Sequence, residues 1–162
     1  MPTHKPSARA RRSAARLAAV QALYQVALTG TNPEAVLGEF VRHRFDADLD
    51  GERYVAPDPA LFAAIVRGVV ARREDLDGLV AGALGPPWEF GRLELLLKAI
   101  LRAGAWELLA HRQADAALVI HEYVNVTHAF FGGREPGMVN AVLDRLARSL
   151  RPEGMQAAHG ST

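Results

Sequence analysis

Apolar residues recur at helical spacing along almost the whole chain, and this pattern limits the fold more than any other feature. Near the C-terminus, apolar side chains follow one another at i, i+3, i+4, i+7 and i+11: Val139, Val142, Leu143, Leu146 and Leu150. That spacing puts them on one face of an α-helix. No segment shows the strict apolar–polar alternation of a half-buried strand. The sequence therefore predicts an all-α protein of roughly seven helices in two small packed bundles.

Capping residues and breakers indicate where the helices begin and end. Asn32-Pro33-Glu34, Asp58-Pro59 and Asp115 are start signals, because Asn and Asp cap helices and Pro fits the first turn. Gly30 is a stop signal. The run at residues 72–75, RRED, predicts a break between two helices, although one continuous helix is an alternative.

The breakers also suggest a domain organisation. We expect one helical domain over residues 11–150, which Gly85-Pro86-Pro87 divides into sub-bundles at about 11–84 and 88–150. Residues 1–10 are expected to form a flexible basic arm and residues 151–162 a disordered tail. Gly104, inside a long apolar helix, indicates a close helix–helix crossing.

Positive charge is concentrated near the N-terminus, although the net charge is only +1. Five cations precede the first acid, Glu34: Lys5, Arg9, Arg11, Arg12 and Arg16. Such a segment fits a removable targeting peptide, a solvated tail or a contact surface for polyanions. The arginines continue in phase into the apolar positions Leu17, Val20 and Leu28, so we interpret the segment as the start of the first helix.

Composition excludes several kinds of site. The chain has no cysteine, which excludes disulfides and thiolate chemistry and fits a reducing, cytoplasmic location. No apolar run approaches the ~20 residues that span a bilayer. Neither a phosphate-binding glycine loop nor a G-x-S-x-G elbow is present. We therefore predict no enzyme activity and no cofactor.

The segment HEYVN at residues 121–125 resembles the helical zinc motif H-E-x-x-H but lacks its second histidine. Asn125 takes that position, and His128 lies at i+7 from His121. A zinc site is conceivable, but a polar outer helix face is the favoured interpretation, and we predict no metal.

Five segments, taken together, resemble the NusB family of bacterial transcription antitermination factors in their order and spacing. They are ARRSAARLAAVQALYQ near the N-terminus, EDLDGLV at residues 74–80, ILRAGAWELL at 100–109, VIHEYVNVTHAFFGG at 119–133 and MVNAVLDRL at 138–146. The resemblance implies a non-catalytic protein of two helical bundles. It implies binding to single-stranded boxA RNA of ribosomal RNA operons together with the ribosomal protein NusE, within a complex on RNA polymerase. A homodimer is a further expectation.

The resemblance also implies site residues. The RNA-binding positions are expected to be Arg9, Arg11, Arg12, Arg16, Gln21, Tyr24, Glu135, Met138 and Asn140. Tyr24 is either a core residue or an RNA contact. Partner binding is placed on the long helix at Lys98 and Arg102. Two other interpretations stay open: a domain related to ribosomal RNA methyltransferases, and a helical interaction module without specific RNA binding.

Overall fold

Helices account for the regular structure of the chain. The computed structural model describes residues 6–44 and 55–153, and these ranges contain seven α-helices, one short 3-10 turn and no strand. The all-α prediction is confirmed. The helices are α1 (Ala8–Thr29), α2 (Pro33–Arg44), α3 (Pro59–Ala71), α4 (Arg73–Ala83), α5 (Leu95–Ala110), α6 (Ala116–Phe130) and α7 (Glu135–Leu150), and the 3-10 turn is Phe90–Arg92.

Most of the predicted capping and stop residues lie at the ends of helices. Gly30 ends α1 in the left-handed conformation, with φ 70°, which suits glycine because it has no β-carbon. The Asp58 carboxylate accepts hydrogen bonds from the first turn of α3, and Asn32 accepts one from Glu34 N–H at 2.8 Å. The chain breaks at Arg72, between α3 and α4. Helix α6 begins directly after Asp115, as predicted, but the Asp115 side chain makes no capping hydrogen bond.

Helix α5 is the centre of the core. It is buried along most of its length and packs against α1, α3, α4, α6 and α7. Helix α4 packs on α5 and α7, with only a small contact to α3. The predicted division near residue 84 is therefore wrong, because α4 belongs with the C-terminal helices. None of the helices in the described ranges is long and apolar enough to cross a membrane.

The predicted close crossing at Gly104 is present. A β-carbon there would lie 2.8 Å from Leu143 Cδ1 on α7, closer than carbon atoms pack. The absence of a side chain lets α7 approach the centre of α5, and this offsets the low helix propensity of glycine.

Ordered structure extends into both of the ends that were expected to be flexible. Ser7 caps α1, so residues 8–10 of the predicted arm are already helical; residues 1–5 lie outside the described residues. At the other end Arg151 is buried. Its guanidinium donates to four main-chain carbonyls around the end of α5, those of Glu107, Leu108, His111 and Ala114. The tail prediction is wrong at Arg151, and residues 154–162 lie outside the described part of the chain.

Candidate nucleic-acid interface

Three of the predicted arginines lie on the first two turns of α1. We call residues 8–14 the basic helix end. Arg9 and Arg11 are exposed and Arg12 is partly exposed, and the first buried residue of α1 is Ala15. No acidic residue occurs in the first turn. The positive end of the helix dipole adds to the arginine charges, so this end of α1 favours anions.

Polar contacts connect the basic helix end to the start of α3 on one side and to α6 on the other. The Arg11 carbonyl accepts a hydrogen bond from Asp58 N–H at 3.0 Å, next to the start of α3. On the other side, the Ser13 hydroxyl donates to the Glu122 carboxylate of α6 at 2.7 Å. Arg11 Nε also donates to the Ala56 carbonyl at 3.4 Å, whereas Arg9 is exposed and Arg12 is partly exposed.

Arg16 is not part of the exposed surface, and its prediction as a phosphate contact is wrong. The side chain is 1% exposed. Its guanidinium donates to both oxygens of the Glu107 carboxylate, with Nε–Oε2 2.8 Å and Nη2–Oε1 3.0 Å, and Nη1 lies 3.5 Å from Glu122 Oε1. A guanidinium with a bidentate partner in the core cannot reach RNA phosphates.

Glu107 is the centre of a buried polar cluster, which we call the Glu107 cluster (Arg16, Glu107, His111, Glu122 and Tyr123). Tyr123 donates its hydroxyl hydrogen to Glu107 Oε2, and His111 Nδ1 lies 2.8 Å from Oε1. Burial alone would raise the pKa of Glu107, but hydrogen bonds from His111 and Arg16 outweigh burial and hold that pKa below its usual value. Burial, followed by the Glu107 charge, raises the pKa of Tyr123 well above normal. An ionised carboxylate with several donors is thus stable in the core.

Gln21 and Tyr24 do not join the arginines. Twelve residues of helix separate Arg12 from Tyr24, which is about 18 Å along the axis. Both Gln21 and Tyr24 are half-buried and line an open groove of about 340 Å³. We call it the apolar groove; its other lining residues are Gln25, Leu28, Phe40, Leu96 and Phe130. Tyr24 is therefore a groove wall rather than a fully buried core residue.

Apolar side chains are unusually exposed at this groove. Leu28 is 59% exposed and Phe130 is 40% exposed, although Leu28 was predicted to build the first helix together with core positions. Contiguous exposed apolar surface is typical of contact sites for other molecules.

The three predicted positions on α7 have different environments. Glu135, the first residue of α7, lines a smaller pocket of about 200 Å³ beside Trp88 and Phe131. Its Oε2 is buried and has no hydrogen-bond partner among the described residues. Met138 is 6% exposed and belongs to the hydrophobic core, so its prediction as an RNA contact is wrong. Asn140 is exposed.

The predicted partner residues on α5 serve different purposes. Arg102 is 6% exposed and donates to both carboxylate oxygens of Asp77 on α4, at 2.6 and 3.1 Å. It ties two helices together, and its prediction as a partner contact is wrong. Lys98 is partly exposed, and its Nζ lies 5.0 Å from the centre of the Phe90 ring.

The segment that resembles a zinc motif does not bring its polar side chains together on one side of α6. Glu122 faces α1, whereas His121 and Asn125 are exposed and lie within hydrogen-bond distance of each other, 3.1 Å between Nε2 and Nδ2. Within residues 6–44 and 55–153, no three His, Asp or Glu side chains are grouped to hold a metal ion.

Comparisons with known proteins agree with the sequence resemblance. Residues 13–148 match the NusB family model. A transcription antitermination protein NusB from Sinorhizobium fredii is 46% identical over 153 residues, which are 94% of this chain and 96% of the relative. One from Agrobacterium fabrum is 45% identical and covers 94% and 91% of the two chains.

Solved structures share the fold at lower identity. NusB of T. maritima superposes with a TM-score of 0.72 at 23% identity, covering 96% of this chain and 99% of that one. A structure described as antitermination factors NusB and NusE in complex with dsRNA gives a TM-score of 0.72 at 22% identity, covering 88% and 99%. From the family model and the relatives above 40% identity, the chain belongs to the NusB family.

Proposed function

We propose that this protein is a transcription antitermination factor that binds boxA-type leader RNA of ribosomal RNA operons together with the ribosomal protein NusE. In this proposal it works in the cytoplasm, within a complex on RNA polymerase, and it binds its partners without catalysing a reaction. The names of its relatives support antitermination. A structural neighbour described with NusE and double-stranded RNA supports the two partners.

One observation carries the RNA half of the proposal: at the open end of α1, Arg9 and Arg11 are exposed and Arg12 is partly exposed, while the equally basic Arg16 is enclosed. One nitrogen of Arg11, Nε, also donates to the Ala56 carbonyl at 3.4 Å. Arginine forks match phosphate oxygens. Each phosphate that they neutralise releases counterions and adds affinity that does not depend on sequence. We propose Arg9, Arg11 and Arg12 as phosphate contacts and exposed Asn140 as a polar contact.

The apolar groove supports the protein half of the proposal. RNA backbone contacts need charge, but none of the described residues that line the groove is charged, and Leu28 and Phe130 are exposed there. Interfaces between proteins bury such surfaces. We propose this groove, rather than the surface at Lys98 and Arg102, as the NusE contact, with Tyr24 on its wall.

The experiment is a binding measurement with two RNAs. Fluorescence anisotropy would compare a boxA RNA with a scrambled RNA of the same composition, with and without NusE, at two salt concentrations. We expect tighter binding to boxA than to the scrambled RNA, a larger difference when NusE is present, and weaker binding at higher salt. Equal affinity for both RNAs under every condition would contradict the proposal and leave a helical interaction module without specific RNA binding.

A further inference from the structure

We infer that Arg16 and Glu107 are positioning residues for RNA binding: their buried ion pair fixes the direction in which the basic helix end presents Arg9 and Arg12. Neither residue touches RNA in this inference. The inference rests on the proposed RNA-binding function, and its test separates the two.

The basic helix end has little apolar packing to direct it. No side chain from residue 8 to residue 14 is buried, and Ala15 is the first that is. The segment forms about two turns of exposed or partly exposed helix, and its polar contacts are those of Arg11 with Asp58 and Ala56 and of Ser13 with Glu122. Its direction is therefore set by the last fixed point before it and by its few polar contacts.

Arg16 provides that fixed point. Its bidentate bond to Glu107 lies wholly in the interior, and two parallel hydrogen bonds hold a guanidinium in orientation as well as in place. Glu107 is itself held by Tyr123 and His111. We call this buried ion pair the anchor; each of its two members also lies close to a further member of the Glu107 cluster, Arg16 to Glu122 and Glu107 to Tyr123 and His111.

The anchor is also connected to the basic helix end. Arg16 Nη1 lies 3.5 Å from Glu122, and the same Glu122 oxygen accepts the hydrogen bond from Ser13. Arg9 and Arg12 are about 10 and 6 Å from Arg16 along the helix axis. A tilt of about 10° at Arg16 would move Arg9 by roughly 2 Å, enough to break a hydrogen bond with a phosphate.

For the substitution Glu107→Gln, simple electrostatics and the positioning role predict opposite changes in RNA affinity. Glu107→Gln removes a negative charge, so simple electrostatics predicts tighter binding to RNA. It would also release Arg16, which predicts tighter binding if Arg16 could contact phosphate itself. Positioning alone predicts weaker binding, because the amide cannot match a carboxylate as partner for the guanidinium.

The test compares three variants with the unaltered protein by anisotropy with boxA RNA. Glu107→Gln and Arg16→Lys change the anchor, and Arg16→Lys keeps the charge but loses the fork. Glu74→Gln is the control, because it removes the same charge from an exposed site on α4. All are measured under conditions in which circular dichroism shows them folded. We expect the two anchor variants to bind about threefold to tenfold more weakly and Glu74→Gln to bind as tightly as the unaltered protein or slightly more so.

A second measurement detects the direction of the helix end without RNA. Because the chain has no cysteine, spin labels can be attached at Ala8→Cys and Gly78→Cys, both exposed positions. We expect one narrow distance distribution, which broadens or shifts in Glu107→Gln and Arg16→Lys.

The outcomes are distinct. An unchanged label distance in the folded variants, or Glu107→Gln binding at least as tightly as the unaltered protein, would overturn the inference. If the unaltered protein itself fails to prefer boxA RNA, the proposed function fails, whereas the label distances still report whether the ion pair directs the helix end.

Discussion

Trp106 on α5 occupies the space that a side chain at Gly68 on α3 would need. A β-carbon on Gly68 would overlap the Nε1 and Cε2 atoms of the indole, well inside van der Waals contact. The indole therefore packs directly against the α3 backbone, and the two helices approach closely because Gly68 has no side chain.

Gly68→Ala is expected to destabilise the fold, because either the indole or α3 must move. Overpacking of this kind costs about 1 to 3 kcal/mol, measured as the free energy of unfolding in urea. Gly78→Ala on α4 is the matched control, since nothing lies within 4 Å of a β-carbon there. It should stabilise the protein by about 0.5 to 1 kcal/mol. Equal effects of the two substitutions would contradict the close approach.

Replacement of both Arg9 and Arg12 by Ala is expected to weaken RNA binding without changing the circular dichroism spectrum. Each phosphate-binding arginine contributes about 0.7 to the steepness of log K against log salt, so loss of both should reduce it by about 1.4. Arg73→Ala is the control: Arg73 is exposed and lies past the far end of α3, about 20 Å from the end that contacts Arg11. A similar weakening in Arg73→Ala would mean that the basic helix end has no special role.

Leu28→Gln is expected to weaken NusE binding while the stability changes by less than about 0.5 kcal/mol, because Leu28 is mostly exposed. RNA binding by the protein alone should be unchanged. Val70→Gln removes another exposed apolar side chain, outside the apolar groove, and serves as the comparison. Calorimetry with purified NusE would measure both; retention of full affinity by Leu28→Gln would remove the groove from the proposed interface.

A chain that ends at Leu150 should be less stable than one that ends at Glu153, by about 2 kcal/mol. The shorter chain lacks the Arg151 guanidinium, which is hydrogen-bonded to four carbonyls at the end of α5. Urea unfolding of the two truncated chains measures the difference. If their midpoints coincide, Arg151 does not contribute to the fold.

The ionised state of Glu107 predicts a specific dependence of stability on pH. Its pKa is lowered in the folded protein, so the unfolded chain takes up a proton first as pH falls. The stability due to ionised Glu107 is therefore present above the pKa of an ordinary glutamate, about 4.3, and lost as pH falls through the folded value. The difference in unfolding free energy between the unaltered protein and Glu107→Gln should shrink as pH falls below about 4.3 toward the lowered pKa of folded Glu107. A constant difference would contradict this assignment.

Local signals made most of the fold predictable. A cap such as Asp58, a stop such as Gly30 and the apolar spacing of α7 act within a few residues, so the sequence shows them directly. The position of α4 was not predictable in this way. Gly85-Pro86-Pro87 indicates an interruption between helices. It does not show that α4 packs on α5 and α7, because those contacts join residues that are distant in sequence.

The candidate site was less predictable, because burial depends on residues distant in sequence. Arg9, Arg12 and Arg16 share one helix face, and nothing near them indicates that Arg16 alone meets a carboxylate 91 residues away. A signal existed at the other end of that contact: Glu107 is a lone acid in an otherwise apolar stretch of α5. A charge among core positions is rarely buried without a partner, so Glu107 predicts a buried basic side chain beside it.

Glu107 also connects the two ends of the described chain. Its side chain holds Arg16, and its carbonyl accepts a hydrogen bond from Arg151. During synthesis α1 leaves the ribosome long before residue 151 does, and α5 lies between them in sequence. A nascent chain therefore carries its arginines before it can orient them. On this view, the ability to hold RNA in a defined geometry arises only after α5 has been synthesised.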